Sequence, residues 1–153
     1  MTGAVVIGIG NAFRRDDGIG PAVAAQLAAR GVSAVTCAAE PTAILDAWAG
    51  SALAVLVDAA GGGVPGRIRQ CTIEDLADTA PVSSHDLGLR QTYELGLMLG
   101  RAPGALVVVT VDVADTGHGV GFSPAVADAL PGAVRLVEGI LGRQSEKSAD
   151  QES

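Results

Sequence analysis

The stretch Val5–Gly31, VVIGIGNAFRRDDGIGPAVAAQLAARG, does more than any other to narrow the possible architectures. Its first residues are a short apolar run with β-branched side chains, the pattern of a strand buried on both faces. From Asp17 onward the pattern changes to a helix. Pro21 falls early, where a missing N–H costs little, and Gly31 closes the helix. Ile19, Val23, Ala24 and Leu27 fall on one apolar stripe. A strand, a glycine-rich turn and a helix make half of a βαβ unit, which predicts a parallel sheet with helices packed on it.

The rest of the chain repeats this alternation. VSAVTC (32–37) reads as a strand and PTAILDAWAG (41–50) as a short helix opened by Pro41. Ala52–Ala60 is continuously apolar up to Asp58, as expected of a central strand. After the turn GGGVPG, RIRQCTI (67–73) alternates polar and apolar residues. The connection before it is too short for a crossover helix, so it is expected to pair antiparallel at an edge. SSHDLGLRQTYELGLMLG (83–100) reads as a helix with a Ser N-cap and a terminal glycine, and ALVVVTVDV (105–113) as the last strand. A final helix, 123–142, opens with Ser-Pro, and Pro131-Gly132 is expected to kink or break it. The tail, 143–153, has almost nothing to bury and is expected to be mobile. The sum is one α/β domain over residues 1–142, a three-layer α/β/α sandwich. Its mostly parallel sheet has about five strands and one antiparallel edge. Aromatics supply only 3% of residues, so the core must be aliphatic.

Composition removes several classes of function. A formal net charge of −7, with no basic run, argues against nucleic acid and anionic membranes as partners. No apolar run reaches the ~18 residues of a spanning helix. AVVIGIG runs straight into a strand with no leader pattern before it, so a cytoplasmic protein is expected. Cys37 and Cys71 sit in apolar segments without metal-type spacing and read as free thiols. GIGNAF has Phe13 where the dinucleotide fingerprint needs its third glycine, and Asp16 and Asp17 would repel a pyrophosphate. There is no G-x-S-x-G nucleophile elbow.

In open α/β sheets, sites form beyond the carboxyl ends of the strands. The residues expected there are Asn11, Asp16 and Asp17 after the first strand and Asp58 at the end of the third. His85 and Asp86 follow at the start of the third helix, and Asp112, Asp115 and His118 come after the last strand. A carboxylate after four apolar strand residues needs a partner, because burying it alone is costly. At a helix N-terminus the dipole disfavours protonation of His85, and a neutral imidazole is a good metal ligand. Acidic residues are also favoured in a first helical turn, so one of Asp16 and Asp17 is expected to cap and the other to be available. Two carboxylates and an imidazole suit a divalent transition ion.

GIGNAFRRDDGIG, followed by VDAA and then SSHDLGL, resembles the hydrogenase maturation proteases, and the likeness runs from Val5 to about Leu141. The stretch GVGFSP also resembles that family's entry to its last helix. The resemblance implies an endopeptidase that removes the C-terminal extension of a nickel–iron hydrogenase large-subunit precursor after nickel insertion. It implies that Asp17, Asp58 and His85 are both the metal-binding and the catalytic residues. Nickel would then be carried by the substrate, although other divalent metals could occupy the site. Two hydrolytic routes are open: polarisation of the carbonyl or water by the metal, and a carboxylate acting as general base with Asp16 in reserve. AEPTA, with Glu40, departs from the family's acidic-Gly-Gly-Thr segment. VDVADTGHG departs from its usual Pro and Glu, leaving Asp112 and Asp115 as the acids available there. The alternatives are a non-catalytic nickel-binding assembly chaperone and a nucleotide-binding domain.

Overall fold

The structure, a computed structural model, describes residues 3–73 and 88–152, with side chains to residue 145. In chain order the strands are β1 (Ala4–Ile9), β2 (Ala34–Cys37), β3 (Leu53–Ala60), β4 (Ile68–Cys71) and β5 (Ala105–Asp112). The helices are α1 (Ile19–Ala29), α2 (Pro41–Trp48), α3 (Leu89–Leu99) and α4 (Pro124–Glu152), and a 3-10 turn, Arg15–Gly18, precedes α1.

The sheet order is β2-β1-β3-β5-β4, with β3 at the centre as its unbroken hydrophobicity predicts. Parallel pairing joins β2 to β1, β1 to β3 and β3 to β5, whereas β4 runs antiparallel to β5. Alternate residues of each strand feed two cores. On one face Val6, Val55, Val57, Val109 and Val111 meet Ile19, Val23 and Leu27 of α1 and Val126, Val134 and Val137 of α4. On the other face Ile7, Ile9, Leu56 and Val108 meet Ile44, Leu45 and Trp48 of α2, with Leu89 and Tyr93 of α3 packed against them. The Trp48 and Tyr93 rings meet edge to face at 6.2 Å. Each fully buried aliphatic side chain is worth about 1.5–3 kcal/mol, so the aliphatic layers rather than rings hold the sandwich together.

Glycine lets α1 lie directly on the strands. A Cβ on Gly8 would sit 2.2 Å from the Gly20 carbonyl oxygen, and one on Gly20 would sit 2.4 Å from the Val57 oxygen. The glycines of the opening motif therefore bring helix and sheet into backbone contact.

Of the kink or break expected at Pro131-Gly132, the break does not occur. α4 passes through Pro131 as a single helix. Pro131 lies on the exposed side, where water can take the freed carbonyl, while Ala133, Val134, Val137 and Ile140 are buried. Gly132 faces Ile68, where a Cβ would approach its Cδ1 to 3.2 Å. Packing against the sheet outweighs the local cost of proline. The helical backbone also continues past Gly142 to Glu152.

Candidate functional site

The two aspartates of the first turn do different things. Asp16 is wholly buried. Its Oδ2 accepts the Ala114 N–H at 3.0 Å and the Asp115 N–H at 2.9 Å, and its Oδ1 accepts the Ser123 N–H at 2.7 Å. The Ser123 hydroxyl also donates to Oδ2. Burial pushes the Asp16 carboxyl upward, but the bonds from Ser123, Asp115 and Ala114 together outweigh it and hold it below the usual value. Asp16 thus ties the β1–α1 turn to the β5–α4 loop and to the start of α4. The cap expected from one of this pair is not made: neither the 3-10 turn nor α1 has a side-chain cap, and Asp16 instead binds Ser123, the residue before α4. With both oxygens saturated, Asp16 is poorly suited to the reserve acid–base role.

More bonds stitch the same two loops together. The Arg15 N–H donates to the Gly119 oxygen at 3.1 Å and the Gly119 N–H to the Phe13 oxygen at 2.8 Å. Arg14 Nε reaches the Thr116 oxygen at 3.2 Å, and Arg15 Nε reaches the His118 oxygen at 3.3 Å. Asp115 pairs with Arg15 at 3.5 Å and accepts the Gly117 N–H at 2.9 Å. Asp115 and the backbone of His118 therefore hold the loop in shape. Asp112, 1% exposed, accepts from the Val64 N–H and from Arg69 Nη2, fixing the β3–β4 turn against β4. Glu40 is exposed just before α2, at the carboxyl end of β2.

Asp17 is half-buried on this rim and accepts one hydrogen bond, from the Asn11 N–H at 2.9 Å. Asp58 lies two residues from the end of β3, half-buried, and its Oδ1 accepts the Ala59 N–H at 2.8 Å. Registers place Cys37 beside Ile9 and Asp58 beside Thr110, and Asp58 shares the face of Leu56 and Ile9. Burial pushes the Cys37 thiol up, and the Asp58 charge adds to the effect. Cys37 and Cys71 are not joined in a disulfide.

Asp17 and Asp58 thus stand on the same carboxyl edge of the sheet. α1 connects them: Gly20, three residues after Asp17, approaches the backbone oxygen of Val57, the residue before Asp58. His85 and Asp86 lie outside the described residues. Among the described residues no group of three His, Cys, Asp or Glu side chains is placed to hold a metal ion. Sequence reading missed Thr110, opposite Asp58 on β5, and Arg69, opposite Thr110 on β4. Nothing local singles them out, because only strand register brings them together.

The family model described as hydrogenase maturation protease (HycI) matches residues 39–140. The match includes Asp58 and His85 and begins after Asp17. None of the curated proteins compared matches the sequence. The chain is similar in structure to the hydrogenase maturating endopeptidase HybD from E. coli, with TM-score 0.83, 22% identity and 94% of each chain covered. It is similar to the [NiFe] hydrogenase maturation protease HybD from Thermococcus kodakarensis, with TM-score 0.79, 20% identity, and 92% of this chain and 99% of that one covered. It is also similar to the HycI protease from Thermococcus kodakarensis KOD1, with TM-score 0.65, 26% identity, and 92% and 91% covered.

Proposed function

The chain belongs to the hydrogenase maturation protease family, and from that premise we propose that it removes the C-terminal extension of a nickel–iron hydrogenase large-subunit precursor after nickel insertion. In this reading Asp17, Asp58 and His85 bind the nickel that the precursor carries, so that only a completed metal centre is processed. The observation that carries the reading is the division of labour in the first turn: Asp16 is consumed by four donors, whereas Asp17 takes one and stands on the same edge as Asp58. α3, which His85 precedes in the chain, packs on the face that Asp58 shares. Two carboxylates and an imidazole are a suitable donor set for nickel.

Peptide hydrolysis moves a proton from the attacking water to the departing amine. A carboxylate that accepts only one hydrogen bond is suited to that transfer, and one saturated by donors is not. Asp17 is therefore the residue we assign to proton transfer. Asp58 and His85, together with Asp17 itself, would hold the substrate's metal, whose chemical contribution would be Lewis acidity toward the scissile carbonyl.

The test is co-expression with a nickel-loaded precursor and mass spectrometry of the large subunit. Wild-type protein should release the extension. Asp17→Asn, Asp58→Asn and His85→Ala should each leave it attached while the thermal melt stays cooperative. Full processing by Asp58→Asn or His85→Ala would exclude the assignment. A wild-type chain that binds precursor and leaves it uncut would be an assembly chaperone.

A further inference from the structure

Among the described residues, two side-chain atoms in the row that runs from Asp58 across β5 to β4 are buried without a hydrogen-bond partner: Thr110 Oγ1 and Arg69 Nε. Thr110 is 5% exposed. Register places Thr110 directly opposite Asp58 on β3 and directly opposite Arg69 on β4. In-register neighbours project to the same face of a sheet, so Asp58, Thr110 and Arg69 form one row across three strands. Arg69 is anchored at its far end, where Nη2 meets Asp112 Oδ2 at 3.2 Å.

Resting on the assignment of Asp58 to the site, we propose that Thr110 and Arg69 form a relay that positions the Asp58 carboxylate, with the Thr110 hydroxyl accepting from Arg69 Nε and donating to Asp58. The three groups are chemically complementary. An Arg Nε–H only donates, an ionised carboxylate only accepts, and a hydroxyl does both. The hydroxyl is the one group of the three that can link the other two, and linking them satisfies both orphaned atoms at once. Neighbouring strands lie about 4.7–4.9 Å apart, and directly opposed Cβ atoms of an antiparallel pair such as Arg69 and Thr110 are about 4.5–5.5 Å apart. A rotation about the Thr110 Cα–Cβ bond is enough to bring its oxygen within hydrogen-bonding distance of a neighbour's carboxylate. The relay closes when Asp58 engages the cation. The buried Asp112–Arg69 pair then holds Thr110, and Thr110 fixes which way the Asp58 oxygens face. Thr110 is a positioning residue and does not touch the substrate.

Thr110→Val keeps the β-branched shape and removes the hydroxyl, whereas Thr110→Ser keeps the hydroxyl. Outer partners of metal-binding groups are typically worth about 10–100-fold in affinity or activity. Thr110→Val is therefore expected to weaken Ni²⁺ binding by the purified chain, measured by calorimetry, and to slow precursor processing, each about 10–100-fold. Its melting temperature should equal or exceed that of wild type, because the hydroxyl it loses is unpartnered in the resting chain. Thr110→Ser should retain both binding and processing. Side-chain couplings of Thr110, measured by NMR with and without Ni²⁺, should report the rotation. Wild-type Ni²⁺ affinity and processing in Thr110→Val would overturn the relay. If the wild-type chain leaves every precursor uncut, the protease reading falls and Ni²⁺ affinity alone decides the relay. A wild-type chain that takes up no Ni²⁺ overturns the relay and the role of Asp58 together.

Discussion

Asp16 commits both carboxylate oxygens to donors 98 to 107 positions away, so its replacement by Asn is expected to cost more than a surface change would. The amide keeps one acceptor and turns an NH₂ toward N–H groups that still need an oxygen. The expected loss is about 1–3 kcal/mol, read as a lower melting temperature. Folding holds the Asp16 carboxyl below its usual value. The stability this contributes is therefore complete above the ordinary Asp pKa of about 3.9 and is lost as pH falls through the lower folded value. Acid unfolding should accordingly begin at higher pH in Asp16→Asn than in wild type, and coincident acid midpoints would contradict the role. The sequence shows two adjacent acids and the general rule that one should cap. It does not show that Asp16 binds a distant loop instead of capping its own turn, because the donors come from Ala114, Asp115 and Ser123 at the far end of the chain. Thr110 and Arg69 were hidden for the same reason: neither stands in a motif, and β-sheet register alone puts Thr110 beside Asp58 and Arg69 beside Thr110.

At the scale of elements, periodicity carries far. Unbroken hydrophobicity places β3 at the centre, the alternation in RIRQCTI marks the antiparallel edge, and the stripe Ile19–Val23–Ala24–Leu27 is the buried face of α1. At Pro131 local stereochemistry predicts a kink or a break, and burial of Ala133, Val134 and Val137 against the sheet keeps the helix unbroken. The joint between α1 and the strands is the most demanding in the fold. Gly8→Ala or Gly20→Ala would set a methyl within 2.2 or 2.4 Å of a backbone oxygen, and neither backbone can yield without separating helix from sheet. Each is expected to destabilise by about 1–3 kcal/mol or more, the range of overpacked cores. Its signature is an earlier melt with the far-UV spectrum retained at low temperature. The far end of α4 predicts the opposite. Among the described side chains Ile140 is its last buried apolar residue and Leu141 the last packed against the core, and residues 146–153, EKSADQES, have one apolar residue, so deleting them should alter stability by no more than about 0.5 kcal/mol.

For the molecule as a whole, the proposed donors come from three distant parts of the chain, and only the folded sheet brings the first two to a common edge. A cation bridging such donors binds the folded state and not the unfolded one, so it must raise the melting temperature by mass action. At a free metal concentration one hundred times its dissociation constant, the gain is about 2.7 kcal/mol. For a chain of this size each kcal/mol is worth about 2–4 °C. Ni²⁺ is therefore expected to shift the melt of wild-type protein upward by several degrees. It should leave Asp17→Asn, Asp58→Asn and His85→Ala almost unmoved, while Asp16→Asn, although less stable at the start, should still respond. That last comparison is the decisive one. If both aspartates of the first turn were metal ligands, both variants would lose the shift; if neither were, both would keep it. A response that survives loss of Asp16 and disappears with loss of Asp17 would match the hydrogen bonding of the turn, in which one carboxylate accepts four of the protein's own donors and its neighbour accepts a single bond.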